Sequence, residues 1–419
     1  MTAAEWKSAK LDELGFVGRG KSRHRPRNAE FLYGGRYPFF QTGDIKAANF
    51  HLTSYTQTYS EKGLAQSKLW KPGTLCITIA ANIAESAVLG IEGCFPDSVV
   101  GFVADPDKAD VRFIKYYMDT LKLQMQNISR GATQDNLSLE KLLTFNFRIP
   151  QLSVQQRIAD ILSAYDELIE NNQQRIRILE GMARALYREW FVHFRFPGHE
   201  KVSRVTSSLG EIPEGWEVKR IGDIFQTVLG GTPSRAKPEF WEGGTIPWIN
   251  SGKVNDLRIT ESSEFITPLA LEKSAAKLMP KGTTVLAITG ATLGQVSYLE
   301  IETAANQSVV GIVDPNGLWS EWIYLTIRER IEGIIKHASG GAQQHINKEI
   351  VNDVQVTLAP DCLAKEFKRF IAPMFQKLAT LLFQTQNLRH TRDLLLPRLL
   401  SGKLNLLNSC NANGGTSCN

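Results

Sequence analysis

One segment pattern occurs twice in this chain, at an offset of 209 to 210 residues. Trp6–Leu14 (WKSAKLDEL) aligns with Trp216–Ile224 (WEVKRIGDI), and the tetrapeptide SVVG at Ser98 recurs at Ser308. The same offset relates Pro38 to Pro247, Gly73 to Gly282, Gly131 to Gly341 and Pro150 to Pro360. Local composition cannot keep a spacing this constant over a whole repeat. The sequence therefore predicts one structural unit duplicated and fused, with pseudo-twofold symmetry and a partner that is itself repeated or roughly dyad-symmetric.

The first part of each repeat predicts a mixed α/β domain. Short apolar runs bounded by Gly, Pro or Asp are typical of buried strands. The runs are Thr74–Ala80 and Val99–Ala104 in the first repeat, and Thr284–Thr289 and Val309–Val313 in the second. Helical candidates accompany them at Val111–Gln126 and Glu321–His337. We therefore expect two α/β (mixed α+β) domains in tandem.

The last part of each repeat changes period and predicts one long amphipathic helix, because apolar residues recur there at steps of three or four. The residues expected to pair the two helices are Ile158, Ile161, Tyr165, Leu168, Ile176, Leu179, Ile371, Met374, Leu381, Leu388 and Leu395. Two narrow apolar stripes are most simply buried if the helices pack on each other as an antiparallel coiled coil. Ser153 as N-cap, with Gln156 three residues on, predicts where the first helix begins. Pro373 should kink the second helix or mark a later start.

These changes of period set the expected domain organisation. The chain divides into a first α/β domain (1–150), a central long helix (151–195), a linker (196–215), a second α/β domain (216–359), a C-terminal long helix (360–405) and a tail (406–419). The tail is polar and rich in glycine, so we expect it to be disordered.

Composition bounds the function only loosely. The net charge of +5 over 419 residues is compatible with a polyanionic partner without requiring one. The five cysteines form no CxxC or Cys/His pattern, so neither a disulfide framework nor a zinc site is expected. The sequence has no apolar signal segment and no apolar run long enough for a membrane span. These features favour a reducing, cytoplasmic setting.

Sequence motifs give little support for catalysis by this chain. No HExxH zinc motif, no GxSxG nucleophile elbow and no Asn/Asp-Pro-Pro-aromatic motif of an amino-methyltransferase occurs. The seven histidines are dispersed and are expected to be surface or packing residues rather than metal ligands. We expect no catalytic residue, no metal site, and no ATP bound in the manner of a phosphate-loop protein.

Polar and basic loops are the local features that could carry function. Gly18–Arg27 (GRGKSRHRPR) contains five basic residues and no acid, whereas its counterpart Gly230–Lys237 (GGTPSRAK) is less basic. Such side chains can neutralise phosphates or contact guanine, and Gln or Asn in the paired loops Ser129–Asn136 and Ser339–Ile346 can pair with adenine. A solvated charged loop and a tight glycine turn are the alternatives. The candidate DNA-binding residues are Arg19, Lys21, Arg23, Arg25, Arg27, Lys46, Arg130, Gln134, Ser234, Arg235, Lys237, Lys253, Gln343, Gln344 and His345.

Several longer motifs make the chain similar to a known family. They are Ile212–Trp216 (IPEGW), Ile221–Ile224 (IGDI), Gly231–Ser234 (GTPS), Phe240–Trp241, Ile246–Ile249 (IPWI), Asn306–Gln307, Met182–Phe191 (MARALYREWF) and Leu388–Leu404. With them the chain resembles the specificity subunit of a Type I DNA restriction-modification system over nearly its whole length. The first repeat departs from the pattern, because only Trp6 remains of the opening motif and the basic run replaces Thr-Pro-Ser.

The resemblance implies a non-catalytic, sequence-specific reader of double-stranded DNA. Each α/β unit would be a target-recognition domain for one half of a bipartite asymmetric site, and the helices would set the gap and dock two methyltransferase subunits. Restriction and translocase subunits would join these. S-adenosylmethionine, ATP and magnesium would be bound by the partner subunits, and this chain would bind no cofactor.

Two other functions remain open on the sequence. The chain could be a self-sufficient DNA methyltransferase with an unrecognised motif, in which case it would methylate DNA without a second polypeptide. It could instead be a protein-interaction scaffold, in which case it would show no salt-dependent affinity for DNA.

Overall fold

The computed structural model describes residues 6–130, 137–336 and 345–403, without the side chains of residues 128–130. These residues form two compact units. The first unit combines residues up to Asn171 with those from Thr385 onward, and the second unit is Asn172–Gln384. The tail expected at 406–419 lies outside the described residues.

The first unit contains eleven strands and four short or medium helices in its described part, followed by the beginning of a long helix. The strands are β1 Lys7–Ala9, β2 Gly15–Arg19, β3 Tyr33–Phe39, β4 His51–Leu52, β5 Gln57–Tyr59, β6 Leu69–Trp70, β7 Leu75–Thr78, β8 Ser86–Leu89, β9 Gly93–Cys94, β10 Val99–Ala104 and β11 Phe147–Ile149. The helices are α1 Thr42–Ala47, α2 Glu61–Ala65, α3 Val111–Arg130, α4 Leu139–Leu142 and the long helix α5 Leu152–Tyr187, whose last residues belong to the second unit.

The second unit continues from α5 and ends within the second long helix. Its strands are β12 Arg204–Ser207, β13 Gly210–Pro213, β14 Glu217–Arg220, β15 Gln226–Leu229, β16 Ile246–Ile249, β17 Arg258–Ile259, β18 Glu264–Ile266, β19 Leu278–Met279, β20 Thr284–Ala287, β21 Val296–Leu299, β22 Thr303–Ala305, β23 Val309–Val313 and β24 Gln355–Leu358. Its helices are α6 Ile221–Ile224, α7 Pro268–Lys273, α8 Ser320–Ile335, α9 Lys348–Asn352 and the first part of α10 Asp361–Leu400.

The two units share one sheet topology, which confirms the duplication. Each has a five-stranded sheet, in the order β2-β10-β7-β8-β4 in the first unit and β15-β23-β20-β21-β17 in the second. Each also has a four-stranded sheet, β5-β3-β9-β6 and β18-β16-β22-β19, and a two-stranded pair, β1-β11 and β14-β24. The fold class predicted from the sequence, two mixed α/β domains in tandem with long helices, is therefore confirmed.

The repeat also holds at single residues. Gly73 and Gly282 both adopt a positive φ, of 84° and 90°, in the turn before the central strands. Each donates its N–H to the last residue of the second strand after it, at 2.8 Å from the carbonyl oxygens of Leu89 on β8 and Leu299 on β21 respectively. A residue with a Cβ is strained in this left-handed conformation, so glycine is required twice for the same reason.

The buried strands form the cores of the domains. β7 and β10 bury Leu75, Ile77, Val100 and Phe102 completely against α3 and the start of α5. Because both faces of these strands are covered, they read in the sequence as continuous apolar runs rather than as alternating patterns.

Both long helices form, with two departures from the predicted details. The carbonyl of Gln151 accepts the N–H groups of Val154 and Gln155, so α5 begins at Leu152 rather than after Ser153. α10 is continuous from Asp361 to Leu400, so Pro373 does not mark a later start, and the kink expected as the alternative stays a prediction. Proline removes only one backbone donor, and the packed apolar face on either side keeps the helix intact.

The helix pair is antiparallel within the second unit. The rings of Trp190 on the turn after α5 and Phe367 near the start of α10 lie 5.6 Å apart. Further back along α5, Glu180 lies in the same buried cluster as Phe375, which is further along α10. The two helices therefore run in opposite directions in this unit.

Most of the residues predicted to pair the helices lie in the interior. Ile158, Ile176, Ile371 and Leu381 are buried, and Ile161, Leu179, Met374, Leu395, Tyr165 and Leu388 are half-buried. The prediction that Leu168 pairs the helices is wrong, because its side chain is 54% exposed and the buried residue is its neighbour Ile169. Leu162, Ile169 and Ile176 follow one another at the seven-residue spacing of a helix seam, and Leu168 lies about 100° from that seam.

The segment predicted as a linker, 196–215, is folded in the second unit. It contains a short 3-10 helix at His199–Lys201 and the β12-β13 hairpin. Phe196 is buried 5.5 Å from the ring of Trp216. In the part of the chain that the structure describes, no helix is long and apolar enough to cross a membrane.

Candidate nucleic-acid interface

The basic loop of the first unit leaves the sheet at the end of β2 and is fixed by its backbone. Gly20 donates its N–H to the Val99 carbonyl at 2.8 Å, and Lys21 donates to the Phe95 carbonyl at 3.1 Å. A Cβ on Gly20 would lie 2.3 Å from the Phe95 carbonyl oxygen, so only glycine permits this close approach. The loop backbone is thus held while its basic side chains remain exposed to solvent.

The five cations of this loop differ in how they are held. Arg27 donates from one guanidinium nitrogen to both oxygens of Asp97, at 2.9 Å each, and Arg25 donates to the carbonyls of Ser22 and His24. Among the described residues, the side chains of Arg19, Lys21 and Arg23 have no hydrogen bond or ion pair. In the described part of the chain, Asp97 pairs with Arg25 and Arg27 and no carboxylate pairs with the other three cations, which leaves an excess of positive charge at this surface.

Exposed aromatic rings and two further lysines border this loop. The ammonium of Lys68 lies 3.6 Å from the ring centre of Trp70 and 4.6 Å from that of Phe16, whose ring is exposed. Partial burial, together with the nearby charge of Lys21, lowers the pKa of Lys68. On the other side, His24 stacks edge-on against the exposed Phe31, and Lys62 lies 5.7 Å from the same ring.

The sequence reasoning missed Lys62, Lys68, Phe16 and Phe31. A lysine far along the chain carries no local signal that it will reach the loop. The only available signal was Phe16, an aromatic residue within the strand that leads directly into the basic run.

The second unit holds its loop with the same two backbone hydrogen bonds. Gly230 donates to the Val309 carbonyl at 3.0 Å, and Gly231 donates to the Ala305 carbonyl at 2.8 Å. A Cβ on Gly230 would lie 2.2 Å from the Asn306 carbonyl oxygen. The frame that presents the loop is therefore the same in both units.

The side chains that this second loop presents are different. The Arg235 guanidinium donates from both terminal nitrogens to the Glu264 carboxylate, at 2.6 and 2.7 Å, and lies 3.5 Å above the Trp241 ring. The hydrogen bonds with Glu264 raise the pKa of Arg235, and the same hydrogen bonds lower the pKa of Glu264. Ser234 accepts the indole N–H of Trp241 at its carbonyl, and the ammonium of Lys237 lies 5.0 Å from the Phe240 ring. One arginine is thus fixed between a carboxylate and an aromatic face.

The remaining candidates are more dispersed. Lys253 lies outside the loop Gly230–Lys237, and its charge is compensated by ion pairs of 2.9 Å with Asp256 and Glu261. Lys46 is exposed near the end of α1, and His345 is exposed and itself forms a backbone bridge with Thr289. Gln134, Gln343 and Gln344 lie outside the described residues, as does the side chain of Arg130.

One sequence match needs a structural correction. Gly15–Ser22 (GFVGRGKS) fits the spacing of a nucleotide-binding phosphate loop, although no such site was expected. In a phosphate loop the motif connects a strand to the N-terminus of a helix. Here Gly15–Arg19 is itself strand β2, paired with β10, and the residues after Ser22 form turns that lead to a short 3-10 helix. The match therefore lacks the strand-loop-helix geometry of a nucleotide-binding phosphate loop.

The described residues also offer no cluster of three or more His, Cys, Asp or Glu side chains that could hold a metal ion. Within this part of the chain, the cysteines Cys76, Cys94 and Cys362 are free.

Comparisons with known proteins point to one family. A family model described as the Type I restriction modification DNA specificity domain matches residues 3–180 and again residues 213–372. The specificity subunit of the Type I restriction enzyme MjaIX from Methanocaldococcus jannaschii is 26% identical over 417 residues, which covers 96% of this chain and 94% of that protein. The specificity subunit of the HindI enzyme from Haemophilus influenzae is 25% identical over 336 residues, covering 66% of this chain and 72% of the other.

A solved structure shares the fold. The S subunit of a Type I restriction-modification system from M. genitalium has a TM-score of 0.65 to this chain at 16% identity, covering 95% of this chain and 97% of that one. The two matches of the family model begin at residues 3 and 213, which is the offset of the internal repeat.

Proposed function

The chain belongs to the Type I restriction modification DNA specificity family, and from this membership we propose that it selects the DNA site for a Type I restriction-modification complex. Each unit reads one half of a bipartite, asymmetric site in double-stranded DNA. The long helices set the gap between the halves and dock two methyltransferase subunits, which restriction and translocase subunits join.

The observation that carries this proposal is one frame presenting two different loops. Gly20 and Gly230 make equivalent backbone hydrogen bonds at the point where each loop leaves its sheet. The first loop nevertheless presents cations without an ion pair, whereas the second presents an arginine that is paired with Glu264. A shared frame fixes both loops in the same way relative to their sheets. Different side chains on that frame are what two unlike half-sites require.

The first loop is suited to the phosphate backbone. Arg19, Lys21 and Arg23 carry uncompensated charge on a fixed backbone, and each phosphate they neutralise releases counterions. The exposed rings of Phe16 and Phe31 offer apolar contacts to thymine methyl groups or sugars beside those charges.

The second loop is suited to reading a base. Glu264 and Trp241 hold the Arg235 guanidinium in one orientation, so little side-chain entropy is lost when it meets a partner. Its remaining N–H groups stay available, and arginine commonly contacts the O6 and N7 atoms of guanine in the major groove. We assign Arg235 to the second half-site on this basis.

Catalysis belongs to the partner subunits in this proposal. S-adenosylmethionine, ATP and Mg²⁺ would be bound by the methyltransferase and restriction subunits, and this chain would contribute the choice of site. A chromosomal DNA target also implies a cytoplasmic setting.

Mapping methylated bases on host DNA tests the function directly. The chain is expressed together with its methyltransferase subunits in a host without other modification systems, and methylated positions are sequenced. We expect one split motif with two unlike halves, which disappears when the gene for this chain is omitted. Methylation by this chain alone, or methylation that does not depend on it, would contradict the proposal.

A further inference from the structure

A single arginine lies fully buried where the second α/β domain meets the helix pair. Arg258 is the first residue of β17, and its side chain is 0% exposed. Burying an arginine is costly unless its charge is paired and its donors are satisfied. Its charge is paired and two of its nitrogens donate hydrogen bonds, whereas Nη2 makes no hydrogen bond among the described residues.

Two buried carboxylates hold the guanidinium. Its Nε donates to Glu180 on α5 at 2.9 Å, and Nη1 donates to Glu300, just after β21, at 2.9 Å. Nη2 also lies 2.8 Å from the Glu180 carboxylate. Burial alone would lower the pKa of Arg258, but the charges of Glu180 and Glu300 keep it raised above its ordinary value.

Aromatic rings enclose the rest of the side chain. The guanidinium carbon lies 3.9 Å from the ring centre of Phe375 on α10, 5.1 Å from that of Tyr298 on β21 and 5.3 Å from that of Tyr324 on α8. Arg328 on α8 donates to the Tyr324 hydroxyl at 2.8 Å and to Glu180 at 3.4 Å. One side chain therefore contacts both long helices and two further elements of the domain.

The described part of the first unit has a different residue at the position equivalent to this arginine. Strand β4 pairs with β8 as β17 pairs with β21, and this register places His51 where the second unit has Arg258, and Val88 where it has Tyr298. His51 is exposed. Where the first α/β domain meets its segments of the long helices, Arg392 of α10 instead contacts Asp166 of α5. Asp166 also accepts a hydrogen bond from the Tyr116 hydroxyl of α3 at 2.6 Å.

The region where the first α/β domain meets its helix segments contains an open cavity. A cavity of about 390 Å³ lies there, lined by charged side chains that include Lys115, Asp119, Lys122, Asp166 and Arg392. In the second unit, Arg258 and the rings of Tyr298, Tyr324 and Phe375 lie together between the domain and the helices. The two recognition domains are thus attached to their helix segments in physically different ways.

We propose that Arg258 is a positioning residue that fixes the second recognition domain on the helix pair and thereby defines one end of the gap between the half-sites. Apolar contacts tolerate small sliding movements, whereas a buried guanidinium that donates to two carboxylates on different elements can do so in only one arrangement of those elements. The inference rests on the proposed function, because it assumes that the helices set the gap.

Three conservative variants test this role in the complete complex. Arg258→Lys keeps the charge but loses the fork, Glu180→Gln keeps the shape but removes one charge, and Phe375→Leu removes the aromatic stack while the ions stay paired. Arg220→Lys is the matched control, because Arg220 on β14 of the same unit also pairs with two carboxylates, those of Asp223 and Asp353, but is exposed.

Gap preference is the readout that a merely structural role would not change. Once the site is mapped, methylation rates are measured on DNAs whose gap is the natural length, one base pair shorter or one longer. We expect the three variants to reduce the preference for the natural gap several-fold, with the bases of both halves unchanged, and Arg220→Lys to behave as the wild type.

The possible outcomes distinguish failure of the role assigned to Arg258 from failure of the proposed function. If the variants lower the melting temperature but keep the wild-type gap preference, Arg258 is only a stabilising residue and the inference is wrong. Phe375→Leu decides the same question if the two charge variants do not assemble. If the wild-type complex methylates no split site, the proposed function itself fails, whatever the variants do.

Discussion

Arg235 offers the sharpest test at the scale of single residues. Replacing it with alanine removes the guanidinium that we assign to the second half-site. Loss of one bidentate base contact should reduce discrimination against a wrong base in that half by about 1–3 kcal/mol. The measurement is the dissociation constant of the assembled complex, at fixed salt, for DNAs with the second half-site intact or altered.

Arg220 is the matched control for this change. Its side chain is 55% exposed, against 54% for Arg235, and it also pairs with carboxylates in the same unit. Arg220→Ala should leave discrimination in both half-sites unaltered. Equal losses at the two half-sites for Arg235→Ala, or the same loss for Arg220→Ala, would show that Arg235 contributes only general positive charge.

Residue chemistry explains which candidates the sequence could identify. Arg235 lies in a basic loop, so the sequence identifies it as a candidate. Its ion pair with Glu264 could not be predicted, because Glu264 reaches it only through the pairing of β18 with β16. Lys68 becomes a neighbour of the first loop in the same long-range way. Arg258 gave no signal, because nothing local distinguishes a buried arginine from an exposed one.

At the scale of elements, predictability follows how far a pattern extends. β10 and β23 were predicted with their observed ends, because a strand covered on both faces is a continuous apolar run. β4, β6 and β9 have two residues each, too few to show any period. Of the three seam residues of α5 only Ile176 was predicted, and Ile161 and Leu168 were named in place of their buried neighbours Leu162 and Ile169. Steps of three or four cannot decide between two adjacent apolar residues.

Leu399 and Leu394 on α10 form a matched pair for testing the buried face of that helix. Leu399 is buried in the core of the first unit, whereas Leu394 is half exposed. Leu399→Ala should destabilise the chain by about 2–5 kcal/mol, through lost burial and the cavity left behind. Leu394→Ala should change the stability by no more than about 0.5 kcal/mol.

Chemical denaturation of the purified full-length chain measures both variants. The transition that reports the first unit is the relevant one, because a chain with two compact units can unfold in more than one step. Similar losses for the two variants would mean that the apolar seam of α10 does not stabilise the first unit through Leu399.

At the scale of the whole molecule, the duplication makes a prediction about length. If the helices set the gap, lengthening them should change the gap and leave the recognised bases as they are. A seven-residue insertion within Leu168–Leu179 of α5, matched by seven residues within Leu381–Leu388 of α10, keeps the apolar seam in phase. It adds about 10 Å of helix, or roughly three base pairs of DNA.

We expect the lengthened complex to methylate the same two half-sites at a longer gap, as read by sequencing methylated positions. The control is an insertion of two residues in each helix, which rotates the seam by about 200° and should prevent assembly rather than shift the gap. A folded, active complex with the heptad insertions and the original gap would refute the ruler role. Since the two loops are unchanged in this variant, such a result would leave their assignment to the half-sites intact and place the control of spacing in the partner subunits.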